Sequence, residues 1–155
     1  MLVLGIETSC DETAAAVVED GMRILSSEVS SQIPLHEKFG GVVPEIACRA
    51  HGELVIPVID TAINSAGITL EDLSGIAVTA GPGLIGALLI GISTAKALAW
   101  SMDMPVLAVD HLNAHIYANN LTHEVEYPFV TLVVSGGHTA LYLCLLYTSP
   151  SPRDR

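Results

Sequence analysis

Two stretches of this chain repeat one design, and that repetition constrains the fold more than any other feature. Residues 4–18 run as an apolar strand, a small polar turn and a second apolar strand, and residues 132–145 do so again. The turns read Thr8-Ser9-Cys10-Asp11-Glu12-Thr13 and Ser135-Gly136-Gly137-His138-Thr139. Each unit reads as a hairpin, with alternate side chains available to a core. Between them, Asp20-Gly21 marks a turn, 24–30 a third strand, and 32–43 a loop rich in Gly, Pro and His. Pro44 suits the first turn of a helix that runs to about Ala66 and ends at Gly67. A strand at 75–79, a helix over 84–102 stopped by Pro105, a strand at 106–109 and a short helix to about Asn120 follow. Alternation of this kind predicts an α/β fold. Hairpins separated by crossovers suggest two related lobes facing a cleft. Hairpins are common, so chance recurrence stays open beside duplication.

Half of the 155 residues are hydrophobic but only 5% are aromatic, so Ala, Val, Leu and Ile carry the apolar content, as buried strands of an α/β protein require. A formal net charge of −11 argues against bulk electrostatic attraction to nucleic acid. A nucleic-acid partner would need a local basic patch, another part of the protein or another subunit. Three cysteines without a CxxC pair indicate neither a disulfide framework nor a cysteine zinc site, and suit a reducing, cytoplasmic compartment. Residues 1–6 lack the length and basic start of a signal peptide. The apolar run Leu84–Trp100 contains Lys96, Gly86 and Gly91 and is short for a membrane span, so a buried helix and no membrane association are expected. After Cys144 composition shifts to Ser, Pro and Arg; residues 145–155 are expected to be a non-native tail without regular pairing.

Four segments could carry chemistry. The turn at 8–13 offers backbone N–H groups and hydroxyls to a phosphate, and Asp11 and Glu12 could hold a metal ion or water beside it; an ordinary turn with solvated acids fits the same spacing. Gly136-Gly137 would let a ligand approach the backbone closely. Ala80-Gly81-Pro82-Gly83 could present a helix N-terminus to an anion, or be a tight strand-to-helix connection. In His111-Leu-Asn-Ala-His115 the histidines stand at i and i+4, one helical turn apart, and could share Zn2+ or Fe2+; two surface histidines are the alternative. Asp110 could cap this helix or support a histidine. A zincin protease needs Glu after its first His, and Leu112 stands there, so that mechanism is excluded.

Five motifs in order, GIETSCDET at 5–13, FGGVVPEIACRAH at 39–51, TAGPGLIGALLIG at 79–91, DHLNAHI at 110–116 and FVTLVVSGGHTAL at 129–141, together resemble the TsaD family. The resemblance covers about residues 1–142, roughly the first half of a family member. It implies the actin-like ATPase (ribonuclease-H-like) fold, with a first lobe over 1–110 and the start of a duplicated second lobe over 111–144. It implies transfer of threonylcarbamoyl from threonylcarbamoyl-AMP to N6 of the adenosine beside a tRNA anticodon. It places one divalent metal ion, Fe2+ or Zn2+, on His111 and His115, substrate binding on Val133, Val134, Ser135, Gly136 and Gly137, and a supporting catalytic role on Asp11 and Glu12. Further metal and nucleotide contacts are expected from the family's second half, so a fragment of this extent is expected to be inactive alone.

Implied partners are tRNA, an actin-like paralogue and the ATPase subunits of a tRNA modification complex. Two other functions compete: a non-catalytic paralogue serving as a dimerisation partner, and an ATPase of the sugar-kinase or chaperone kind. The histidine pair favours the transferase, because such paralogues resemble the first turn but lack it.

Overall fold

The computed structural model describes residues 1–135 and 139–145. The chain divides into two compact units, Met1–His111 and Leu112–Arg155.

The first unit is built on a five-stranded sheet. Its strands are β1 (Leu2–Glu7), β2 (Glu12–Glu19), β3 (Arg23–Ser31), β4 (Gly75–Gly81) and β5 (Val106–Asp110), in the order β3-β2-β1-β4-β5. β2 runs antiparallel to both β1 and β3, while β4 is parallel to β1 and β5 to β4. Only β2 therefore opposes the rest. This is the ribonuclease-H-like arrangement of the actin-like ATPases.

Period-two patterning decides which face is covered. Leu4 and Ile6 of β1, Ala15 and Val17 of β2, and Ile76 and Val78 of β4 are all buried. They join one core with Val55, Val58, Ile59, Ala62 and Ile63 of α2 (Pro44–Ala66) and Ala95 and Ala99 of α3 (Ile85–Ser101). The intervening residues Val3, Gly5, Ala14, Ala16 and Val18 face the other side and are half-buried. α2 starts at Pro44 and ends at Gly67, whose φ of 70° is the left-handed C-cap. Pro57 lies inside it on the exposed side and does not end it.

The sequence differs from the structure in two places here. The loop expected at 32–43 contains a helical turn, α1 (Ile33–His36), followed by a 3-10 turn at Glu37–Phe39. α3, expected to be a buried helix, buries a stripe of small residues at every fourth position, Ala87, Gly91, Ala95 and Ala99, together with Leu88. Its outer side leaves Ile85, Leu89 and Trp100 exposed, Trp100 by 90%. Uniform hydropathy could not reveal this, because small residues set how closely a helix seats while large ones mark no particular face. Among the described residues no helix is long and apolar enough to cross a membrane.

The second unit contains a 3-10 turn (Ala118–Leu121) and an antiparallel hairpin of β6 (Phe129–Val134) and β7 (Thr139–Cys144), in register Val134↔Thr139. Val130, Leu132, Val134, Leu141 and Leu143 are exposed. α4 (His111–Tyr117) begins directly after β5.

Candidate functional site

The carboxyl ends of β1, β4 and β5 lie side by side, which is where open α/β sheets place their ligands. Glu7 ends β1, Thr79 lies near the end of β4, and His111 follows the last residue of β5. The Glu7 carboxylate is the hub. It accepts from the Thr79 hydroxyl and from the backbone N–H of Ser9. It also lies 3.3 Å from Nδ1 of His111. Burial pushes the Glu7 carboxyl up, but hydrogen bonds from Ser9, Thr79 and His111 outweigh it and hold the group below its ordinary value. An ionised carboxylate can only accept, so Nδ1 of His111 carries the proton here. The Ser9 hydroxyl oxygen, also 3.3 Å from Nδ1, shares it.

This contact joins two of the motifs that the sequence singled out. Through Ser9, the turn after β1 touches the first histidine of the HxxxH pair. Helix α4 carries His111 and His115 one turn apart, His111 half-buried and His115 exposed, so neither is sealed in a core. Asp110 is the last residue of β5 rather than part of that helix. Among the described residues no cluster of three His, Cys, Asp or Glu is assembled for a metal ion. The donor set nevertheless suits a borderline metal, because a histidine that gives Nδ1–H to a carboxylate presents its other nitrogen's lone pair.

The hydroxyls of the turn behave differently from the phosphate donors suggested by sequence. Thr8 is fully buried and donates to the carbonyl of Ala87 at 2.8 Å. Thr13 is fully buried and bonds Nδ1 of His51 at 2.7 Å. Both face α2 and α3, because a strand's alternation places them on the core side. Asp11 is half-buried, and its carbonyl accepts from the N–H of Gln32 at 2.9 Å; Glu12 is exposed as the first residue of β2. Cys10 is exposed, yet desolvation, followed by the adjoining Asp11 and then Glu7, raises its thiol above the ordinary value.

The glycine-rich connection after β4 packs on the same turn. A Cβ at Gly83 would lie 2.6 Å from the Ser9 carbonyl oxygen and 2.8 Å from its Cβ, so only glycine fits. The Leu84 N–H donates to that carbonyl at 2.8 Å, which occupies the donor at the entrance of α3. The segment is a tight strand-to-helix connection packed on the turn after β1.

Val133 and Val134 end β6, with Val134 exposed, and Ser135 follows, also exposed. Gly136 and Gly137 lie outside the described residues, as do 146–155. The expectation that the two hairpin units belong to lobes facing one cleft therefore falls partly outside them. Glu7 and Thr79 were not singled out from sequence. The signal that could have found Glu7 is an acid closing an otherwise apolar strand.

Comparison with known proteins agrees with this architecture. Residues 23–149 match the TsaD family, described as tRNA N6-adenosine threonylcarbamoyltransferase. The Pelobacter propionicus protein of that name is 59% identical over 143 residues, which are 92% of this chain and 42% of the relative. The Symbiobacterium thermophilum protein is 60% identical over 141 residues, 90% of this chain and 41% of the relative. The chain thus spans about two fifths of the length of the curated relatives it matches. A Pseudomonas aeruginosa protein described by its similarity to peptidase YEAZ superposes with a TM-score of 0.61 at 22% identity, covering 91% of this chain and 63% of that one. YeaZ from the same organism gives 0.60 at 21%, covering 97% and 73%. Those two likenesses carry the fold alone, whereas the matched sequence carries the family. The chain belongs to the TsaD family of tRNA N6-adenosine threonylcarbamoyltransferases.

Proposed function

We propose that this chain supplies the first part of an enzyme that moves a threonylcarbamoyl group from threonylcarbamoyl-AMP to N6 of an adenosine next to a tRNA anticodon. The observation that carries the reading is the joining of the turn after β1 to His111 through Glu7 and Ser9 at the carboxyl ends of the parallel strands. His111 and His115 are proposed to hold one divalent ion, Fe2+ or Zn2+, with further ligands from outside the described residues or from the donor. Such an ion, when bound, orients and polarises the donor's phosphate as a Lewis acid. Glu7 fixes the ring of His111 and the nitrogen it offers. Asp11 and Glu12 stand in the turn next to Ser9 and are proposed to order the reacting groups. Val133, Val134, Ser135, Gly136 and Gly137 are proposed to bind the adenylate. An exocyclic amine is a weak nucleophile, so most of the gain assigned to these residues is positioning.

Partners on this reading are tRNA, an actin-like paralogue and ATPase subunits of a cytoplasmic modification complex. The acidic balance of the chain fits docking of tRNA on another surface. The relatives' name and the histidine pair favour a transferase over a silent paralogue or a sugar-kinase-like ATPase.

The test is a chimera of family length, in which this chain's matching stretch replaces that of the Pelobacter propionicus relative. Incorporation of isotope-labelled threonine into tRNA is followed with donor and partner proteins supplied. His111→Ala and His115→Ala should each abolish incorporation while leaving the fold intact. Undiminished incorporation by either variant would overturn the assignment.

A further inference from the structure

We infer that His51 is a positioning residue that holds the Asp11–Glu12 turn, at the end of a one-way hydrogen-bond chain that begins in the loop before α2. This rests on the transferase reading, because Asp11 and Glu12 matter as acids only if that turn serves the reaction.

His51 is fully buried in α2, and the direction of every bond around it can be assigned. Its Nε2 lies 3.0 Å from the carbonyl oxygen of Cys10. A carbonyl only accepts, so Nε2 carries the hydrogen. In the neutral ring Nδ1 is then the acceptor, and its two neighbours are donors: the Thr13 hydroxyl at 2.7 Å and the Gln32 amide nitrogen at 3.3 Å. With its nitrogen given to His51, Gln32 offers its oxygen to Nε2 of His36 at 3.3 Å, so that nitrogen donates. Nδ1 of His36 accepts from the backbone N–H of Val43, also at 3.3 Å. One assignment of tautomers and amide orientation satisfies Val43, His36, Gln32, His51, Thr13 and Cys10 together. Buried networks complete in this way hold a single geometry.

The chain ends on the turn rather than within the core. The Cys10 carbonyl is held by His51, and the next carbonyl, that of Asp11, is held by the backbone N–H of Gln32 at 2.9 Å. Two successive peptide carbonyls are thereby fixed, the first by a core side chain and the second by the backbone of the residue after β3, directly before and at the first of the two acids. A purely structural network would stabilise α2 against β2 without regard to where those carbonyls point.

Two substitutions separate these roles. In His51→Gln the amide nitrogen reaches about as far as Nε2 and can still donate to Cys10. In His51→Asn the shorter side chain can accept from Thr13 but does not reach the Cys10 carbonyl. In the chimera of family length, His51→Asn should lower kcat by about 10- to 100-fold at little change in the KM for tRNA, since misplacement near 1 Å costs on that order. His51→Gln should restore kcat to within about threefold on the same argument. Equal kcat per folded molecule for wild type and both variants, with only thermal stability reduced, would overturn the inference in favour of a structural role.

Nitrogen-15 correlation spectra of the 155-residue chain provide a readout independent of activity. They should show the Nε2–H tautomer at both His51 and His36. The amide resonances of Asp11 and Glu12 should move in His51→Asn and not in His51→Gln. An Nδ1–H tautomer at His51, or unmoved amides, would refute the positioning role even if transfer is observed. Absence of transfer in the wild-type chimera, with the tautomers and amide shifts as described, would refute the transferase reading and leave the turn-holding role in place.

Discussion

Replacing Gly91 by alanine should destabilise the first unit, although alanine is the better helix former. The reason is the contact between α3 and the first residue after β1. A Cβ at Gly91 would collide with the Thr8 hydroxyl oxygen and lie 3.4 Å from its Cγ2. Thr8 is fully buried, and that hydroxyl is committed to the Ala87 carbonyl at 2.8 Å. Either α3 shifts, an overpacking cost of about 1–3 kcal/mol, or the hydroxyl turns away unpaired at about 1–3 kcal/mol. Gain in helix propensity offsets about 1 kcal/mol. A net loss of up to about 2 kcal/mol follows from these opposing terms. Urea unfolding followed by far-ultraviolet circular dichroism measures it. Thr8→Ala removes the two nearest atoms and leaves Thr8 Cβ at 3.5 Å, an ordinary contact. In that background Gly91→Ala should be neutral or stabilising, so the double-mutant cycle should show strong coupling. A Gly91→Ala that stabilises the wild-type background, or a loss that Thr8→Ala does not relieve, would refute the reasoning.

Glu7→Gln should weaken the first unit at neutral pH, because the carboxylate is held ionised below its ordinary value of 4.5. A depressed carboxyl contributes stability above its unfolded value and loses it as pH falls through the folded one, so wild type and variant should converge as the pH is taken from neutrality to below that folded value. Unfolding free energies at both ends of that range check the sign; a gap that widens toward acid would contradict it. Cys10, with its thiol raised above 9.0, should react slowly with iodoacetamide at neutral pH and accelerate above pH 9.0, as followed by peptide mass spectrometry. Reaction at neutral pH as fast as that of an unhindered cysteine would count against the environment described.

The α/β class, the first three strands and the limits of α2 were legible because they depend on local signals: alternation, Asp20-Gly21, Pro44 and Gly67. The HxxxH pair was legible because a spacing of four is itself a helical neighbourhood. The environment of those histidines was not. Glu7 finds its partners 72 and 104 residues away, at Thr79 and His111, and no local pattern relates such positions. Thr8 and Thr13 looked like phosphate donors because hydroxyls in a turn suggest exposure. The pleat turns them inward instead, toward Ala87 and His51, which are 79 and 38 residues distant. The same separation hid His51 and Gln32, whose roles exist only once α2 lies over β2. The exposed side of α3 was hidden for another reason, since a helix apolar all round carries no mark of the side that meets the sheet.

The most direct measurement is the nucleoside content of tRNA from cells whose own transferase gene has been replaced by the chimera of family length. The tRNA is digested and N6-threonylcarbamoyladenosine is quantified by liquid chromatography and mass spectrometry. Expected is modification at the level given by the intact relative, and its loss when His111 and His115 are both replaced by alanine. A stable chimera that leaves the adenosine unmodified, or a double variant that modifies it as fully as the parent, would contradict the site assembled here around Glu7 and His111.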